Sequence, residues 1–440
     1  MPSTTTKKDY DVIIIGGGPA GSTAAIVLAR AGFSVGLFER ATHPRFHIGE
    51  SILPRNMAMI RELGLEEQLR KLPHVPKYGA EFAMGDDLKT MQFRFADGLL
   101  PGDVVFNIER SGFDKMLIDN ARSAGAAVFE KTAVRAIDRL SDGDVAVTTD
   151  NGPVTARVLL DASGHGTVVG RHLKQRRNFD DPELQKVAYF QQFDDVERPP
   201  GDASGDPTIV MADEGWFWLI GLTDRRTSVG FVTRPWFVRD LRVPPDRLLQ
   251  WAIARCPVVR HRMRAAVGPA TNDVLSDFSY TCSPIAGPGY FMIGDAGCFL
   301  DPIFSTGVTL AMVGGNEAAK LTIAMLRGSK TAAAAQREYV RFVEGSTAVF
   351  WRLIRGYYRH SFRELFMHGR GPHNVHGAII STLAGSVFPR PPWALRWRMR
   401  LFELCVWLQQ YIALVPRRRR FRLLDEQPVE PQLHAVPSHA

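Results

Sequence analysis

Two short segments carry residue types and spacings that could do chemistry. In DPIFSTGVTLAM (301–312) a proline and the small residues Ser305, Thr306 and Gly307 precede an apolar run that reads as a helix. Such a helix start presents backbone N–H groups without intrahelical partners and a partial positive charge, which suits an anion. In YDVIIIGGGPAGSTAAIVLARAGFSVGLFER (10–40), Gly16, Gly18 and Gly21 form G-x-G-x-x-G between a strand and a helix, and a second strand ends at Glu39. The first glycine permits a tight turn, the second lets a pyrophosphate approach the backbone, and the third lets helix and strand pack closely. The acid is placed for the hydroxyls of an adenosine ribose. A dinucleotide, and an anion at the later helix, are the expected ligands.

These segments need a frame. Val12–Ile15 is a continuous β-branched run, as a strand buried on both faces requires. Later segments return to the same ligand: Arg110 opens an amphipathic helix in NIERSGFDKMLIDNARSAGAAVF (107–129), and ARVLLDASGH (156–165) is a strand ending in a sharp turn. In YFMIGDAGCFLDPIFSTGV (290–308) another strand runs into Gly294-Asp295-Ala296. A chain that leaves and revisits one nucleotide lobe implies interleaved architecture. Residues 186–233 alternate like antiparallel strands, and from about residue 331 the pattern is helical and rich in arginine and aromatics. The expectation is an α/β fold with a discontinuous nucleotide lobe (8–75, 104–170 and 285–330) and a β-sheet substrate domain (76–103 and 171–284). A helical C-terminal section (331–424) and a disordered polar tail (425–440) complete it.

The chain has 440 residues, 45% of them hydrophobic and 23% charged, which is ordinary for a globular protein with a substantial core. Its net charge of +8, much of it late in the chain and including Arg417–Arg420, suits an acidic partner or a membrane surface. No nucleic-acid-binding pattern accompanies that charge, so no nucleic acid is expected. Cys256, Cys282, Cys298 and Cys405 lack CxxC spacing and read as ordinary thiols in a reducing compartment, with no disulfide frame and no metal site. The polar start MPSTTTKKDYD shows no signal peptide, and the longest apolar stretches are too short or too interrupted to span a bilayer. A cytoplasmic protein without membrane contact is expected.

Taken together, GGGPAGS, Arg110 in ERSGFD, DASG and GDAGCFLDP resemble the flavoprotein monooxygenases with a glutathione-reductase-like FAD-binding fold, over roughly residues 10–360. Further pieces resemble one branch, the flavin-dependent halogenases. RFHIGESILP (45–54) is similar to that branch's loop after the second strand, and Trp216-Phe217-Trp218-Leu219-Ile220 to its W-x-W-x-I-P signature, with Gly221 where proline is expected. Lys77, in PKYGAEF, falls where the branch carries its essential lysine. WRLIRGYY (351–358) resembles the aromatic helix of members that act on phenols and pyrroles.

The resemblance implies FAD, used as FADH2, held by Gly16, Gly18, Ala20, Gly21, Glu39, Arg40, Ser51, Arg110, Asp295, Gly307 and Val308. It implies chloride or bromide against Ser305, Thr306 and Gly307. O2 would add to the flavin as a C4a-hydroperoxide, and halide attack would give hypohalous acid. Lys77 is the implied catch point, as a donor to the acid or, where burial lowers its pKa, as an amine forming a haloamine. Its amino group is then expected to face a narrow passage from the flavin whose far wall is 305–307. Phe304 stands where tryptophan halogenases carry a glutamate, which points to a phenol, pyrrole or similarly activated ring. That ring would be free or tethered to an acyl or peptidyl carrier protein, which Arg396, Arg398, Arg400 and Arg417–Arg420 could dock; the same arginines equally suit solvent or a membrane surface. No second nucleotide motif is visible, so a separate flavin reductase is the implied source of FADH2. Rival readings on the same fold are an aromatic hydroxylase and an isoprenoid-chain reductase; outside enzymes, a flavin-binding assembly protein.

Overall fold

The computed structural model describes residues 8–276, 279–299, 301–369 and 371–429. Its nucleotide lobe is built on a six-stranded sheet in the order Ala286–Gly287, Tyr290–Met292, Val158–Asp161, Val12–Ile15, Val35–Phe38, Ala127–Phe129. All pairs are parallel except the first. Val12–Ile15 is buried throughout because each face has its own cover. Val12 and Ile14 pack with Ala24, Leu28 and Leu117 of the helices Pro19–Arg30 and Arg110–Ser123. Ile13 and Ile15 pack with Ile137, Val145 and Val147 of a three-stranded antiparallel sheet. Side chains that alternate between two apolar covers explain the uninterrupted β-branched run.

The turn out of this strand is set by close backbone approach. Gly16 has φ +102°, and a Cβ there would stand 2.4 Å from the Ala162 carbonyl oxygen. Only glycine lets these neighbouring strand ends come so near.

The second lobe is a seven-stranded sheet in the order Asp273–Leu275, Val187–Asp194, Arg226–Thr233, Gly215–Gly221, Thr208–Met211, Gly79–Met84, Asp87–Arg94. It is antiparallel except where Thr208–Met211 meets Gly79–Met84. The Gly215–Gly221 strand is buried along its length, with Phe217 packed on Phe231 at 4.6 Å between ring centroids. The helices Ala332–Tyr357, His360–His368, Val375–Leu383 and Trp393–Gln409 close on this sheet through a shared core that includes Phe350, Phe362, Phe366 and Phe402. Lys77 ends the strand His74–Lys77, which pairs with Val105–Ile108 in a separate two-stranded sheet.

Of the tail expected to be disordered, residues 425–429 are described, and the Val429 N–H donates to the Ala254 carbonyl at 3.0 Å. Residues 430–440 of that tail, and residues 1–7 of the polar start, lie outside the described residues. Among the described residues no helix is long and apolar enough to cross a membrane.

Candidate active site

Two clefts meet at the joint between the lobes. One, of about 1010 Å³, is lined by Gly16, Gly18, Ala20, Glu39, Arg40 and Ser163 among others. The other, of about 910 Å³, is lined by Ser51, Trp216, Trp218, Ile220, Asp301, Ser305 and Thr306 among others. They run into each other, because His47, Arg110, His165, Asp295, Gly307 and Val308 line both.

The first cleft is shaped for a dinucleotide. The helix Pro19–Arg30 starts at its wall behind Gly18, which offers no side-chain cap, so the first-turn N–H groups stay available to a phosphate. Glu39 accepts N–H bonds from Gly17 (2.7 Å) and Ala41 (2.8 Å), which fix its carboxylate at the cleft. Gly21 is buried behind the wall and serves packing. Arg110 is committed elsewhere than expected of a cofactor ligand alone. It holds Asp114 through two bonds (2.8 and 2.9 Å) and donates to the Ile48 carbonyl (2.9 Å), fastening the 45–54 loop to its helix. The tight turn, the uncapped helix start and the fixed acid fit FAD.

At the junction His47, His165 and Asp295 are pushed towards neutrality, while Arg110 keeps its charge. Burial, helped by Arg110, takes His47 down to about 3, and burial takes His165 down to about 4, with Arg176 in the same direction. Burial pushes Asp295 up to about 7 against the pull of Arg110. Desolvation penalises whichever form carries charge, so all three shifts share one cause.

The second cleft contains the helix start expected to take an anion. Ser305 turns the chain in a left-handed conformation (φ +55°), Thr306 is the N-cap without a side-chain cap bond, and Gly307 begins the helix Gly307–Leu326. A Cβ on Gly307 would meet nothing within 4 Å, so the helix end is open.

Lys77 is 2% exposed. Its Nζ donates to Ser51 Oγ (2.9 Å) and to the Ile52 carbonyl (3.1 Å), 5.3 Å from the centre of the Phe95 ring. Burial lowers its pKa to about 7, with Asp206 opposing. The amine does not itself line the cleft. Ser51 does, and stands between the amine and the cavity that also holds Ser305–Gly307. The structure thus brings Lys77 to the expected cleft one hydrogen bond behind its wall, where a directly facing amine was expected.

Two other expectations shift. Phe304 is buried edge-to-face against Tyr357 (5.9 Å) and is not among the lining residues, so the position where tryptophan halogenases carry an acid points into the core. Gly221 likewise lies beyond the lining residues; a Cβ there would stand 2.7 Å from the Arg198 guanidinium carbon.

Sequence reasoning missed a polar group on the same cleft. Trp216 Nε1–H donates to the Tyr358 hydroxyl (3.1 Å), and that hydroxyl donates to Asp301. Asp301 also accepts the Ile303 N–H (3.0 Å), and burial raises its pKa. Behind them Lys186 lies 3.7 Å from the centre of the Tyr358 ring and donates to the Glu183 carbonyl; burial takes it down to about 8. Glu50 of the HIGES loop also lines the cleft, buried and with its pKa raised by burial. Asp301 and Glu50 were visible as acids inside quoted motifs, whereas nothing in the sequence ties Lys186 to Tyr358. All four cysteines are free, and among the described residues no cluster of His, Cys, Asp or Glu could hold a metal.

Residues 9–337 match the family model described as an FAD binding domain. The 1H-pyrrole-2-carbonyl-[peptidyl-carrier protein] brominase of Pseudoalteromonas luteoviolacea (strain 2ta16) is 33% identical over 320 residues, covering 71% of this chain and 77% of its own. Among solved structures, a flavoprotein/dehydrogenase from Cytophaga hutchinsonii superposes with a TM-score of 0.82 at 28% identity, covering 91% of this chain and 99% of its own. The flavin-dependent brominase Bmp2 superposes with a TM-score of 0.79 at 28% identity, covering 90% and 99%.

Proposed function

The chain belongs to the flavin-dependent halogenases, and from that premise we propose that it chlorinates or brominates an electron-rich aromatic ring. The ring is a phenol, a pyrrole or similar, free or held on a carrier protein, as the relative that brominates a carrier-bound pyrrole supports. When bound in the first cleft and reduced by a separate reductase, FAD would pass two electrons to O2, the oxidant that converts halide to hypohalous acid.

The protein's residues bind, catch and deliver. The open helix start at Ser305–Gly307 holds the halide by its N–H groups and positive end. Ser51 passes the hypohalous acid to Lys77 by hydrogen bonding. With a pKa of about 7, much of the Lys77 amine is unprotonated at neutral pH. Its nitrogen lone pair takes the halogen, the O–halogen bond breaks, and the released hydroxide leaves as water with an amine proton. The aromatic ring then takes the halogen as the N–halogen bond breaks, and a proton from solvent returns to nitrogen to restore the amine. Asp301, held by Tyr358 and raised in basicity by burial, accepts the ring proton.

The observation that carries this reading is the buried, pKa-lowered amine bonded to Ser51, on the cleft that also contains the helix start. The test is product formation by wild type and Lys77→Ala, each with a flavin reductase and bromide, over phenols, indoles and carrier-loaded pyrroles. Brominated product from wild type alone is expected. Hydroxylated product, or equal bromination by Lys77→Ala, overturns the proposal.

A further inference from the structure

The last helix carries an outer face that no other part of the described chain covers. Trp393, Arg396, Arg400, Leu404 and Trp407 recur at intervals of three and four residues and are exposed, so they share one side of Trp393–Gln409. Leu395, Met399, Phe402 and Val406 bury the other side. Beyond the helix Tyr411, Ile412 and Leu414 extend the exposed apolar surface, at 67%, 61% and 46% exposure. Arg417–Arg420, all exposed, follow directly.

This tip is held in place. Gln409, 1% exposed, accepts from the N–H groups of Leu414 (2.7 Å) and Val415 (3.0 Å) and donates to Glu364 (2.8 Å). The other Glu364 oxygen accepts the Arg418 N–H (2.9 Å). Two buried polar side chains therefore fix a turn whose apolar side chains face water. An apolar patch of this kind, kept out of the core by design of the backbone, marks an interaction surface. Beside it Arg359, Arg417, Arg418 and Arg420 line an open hollow of about 1240 Å³. Glu364, the one acid lining that hollow, is turned inward by the bonds just described.

We propose that this surface seats the enzyme on an anionic bilayer. Trp407, Tyr411, Ile412 and Leu414 enter the boundary between headgroups and acyl chains, and the arginine hollow receives lipid phosphates. Aromatic and aliphatic side chains on a tip flanked by arginines form an interfacial anchor, which lies on a membrane and needs no spanning run. That distinction is why the expectation of no membrane contact, drawn from the lack of a spanning stretch, does not extend to this face. A carrier protein would answer the arginines by charge; the exposed Tyr411, Ile412 and Leu414 add the apolar half that the boundary of a bilayer takes up. The proposal is independent of the halogenation chemistry.

Sedimentation of the full chain with vesicles of phosphatidylcholine, alone or mixed with phosphatidylglycerol, tests it. The wild type is expected to sediment with mixed vesicles only, and added salt is expected to release it. The double variants Ile412→Glu/Leu414→Glu and Arg417→Glu/Arg420→Glu are each expected to lower partition at least about tenfold, with flavin binding unchanged. Three results would overturn the proposal. One is no partition onto mixed vesicles; another is partition that survives both variants. The third is a wild-type dimer or carrier complex, without vesicle binding, that the same substitutions abolish.

Discussion

Lys77 and Lys186 are both buried beside one cleft, and their surroundings differ in kind. At Lys77 the opposing acid, Asp206, accepts the N–H groups of Tyr78 (2.8 Å) and Gly79 (2.7 Å) through one oxygen, while its other oxygen is buried without a bond. The amine bonds only to a hydroxyl and a carbonyl, and burial takes it to about 7. At Lys186 Asp301, Glu183 and Asp181 all oppose the burial that takes it to about 8. The amine also rests on the face of Tyr358, a contact that favours the ammonium form. Burial by itself does not make a lysine reactive. What separates the two is that one acid opposes burial at Lys77 and three do so at Lys186, and that the path to the cavity is a hydroxyl in one case and an aromatic plate in the other.

The largest test of that contrast replaces each amine by a guanidinium, which stays charged. Lys77→Arg is expected to lower halogenated product about 10²- to 10⁴-fold, as loss of a proton-transferring group does. Lys186→Arg, measured alongside, should retain most turnover; equal losses would erase the distinction. Next in size, Asp301→Asn should cost about ten- to a hundredfold, the worth of a charge-assisted bond to the reacting ring. A primary isotope effect with ring-deuterated phenol, seen in the variant and not in wild type, would assign the loss to proton removal.

The pH profile sharpens the comparison further. If the neutral Lys77 amine is the acceptor, product formation rises with pH through about 7 and is flat in that range for Lys77→Ala. The sign for stability follows the same group. Its folded pKa lies below its ordinary value of 10.5, so the unfolded chain binds more protons between about 7 and 10.5. Wild type should therefore gain stability relative to Lys77→Met as pH rises across that window, measurable by denaturant titration. The smallest effect is expected from Ser51→Ala, which removes one bond to Nζ and should slow product formation about fivefold.

Much of the frame was legible because it rests on local pattern. The Val12–Ile15 run, the glycine turn and the acid at 39 sit within one βαβ unit, and the alternation of Trp216, Trp218 and Ile220 with Phe217 and Leu219 reports its two faces directly. The site was legible only in part, because its geometry depends on distant partners. Lys77 lies behind Ser51 because its strand pairs with Val105–Ile108, a register no local pattern announces. Phe304 turns inward to pack on Tyr357, a partner at the end of a later helix. Asp301, Tyr358 and Lys186 come together from well-separated segments. On the last helix both faces carry aromatic or long side chains, so periodicity could not tell the buried side from the exposed one.

The Gly215–Gly221 strand is hydrogen-bonded along both edges within its sheet, so its backbone has little room to shift for a new guest. Phe217 and Leu219 are already claimed by the interior. Divergence in which molecule is accepted must then be written at 216, 218 and 220, or in the segments that face them, while the scaffold beneath is inherited unaltered.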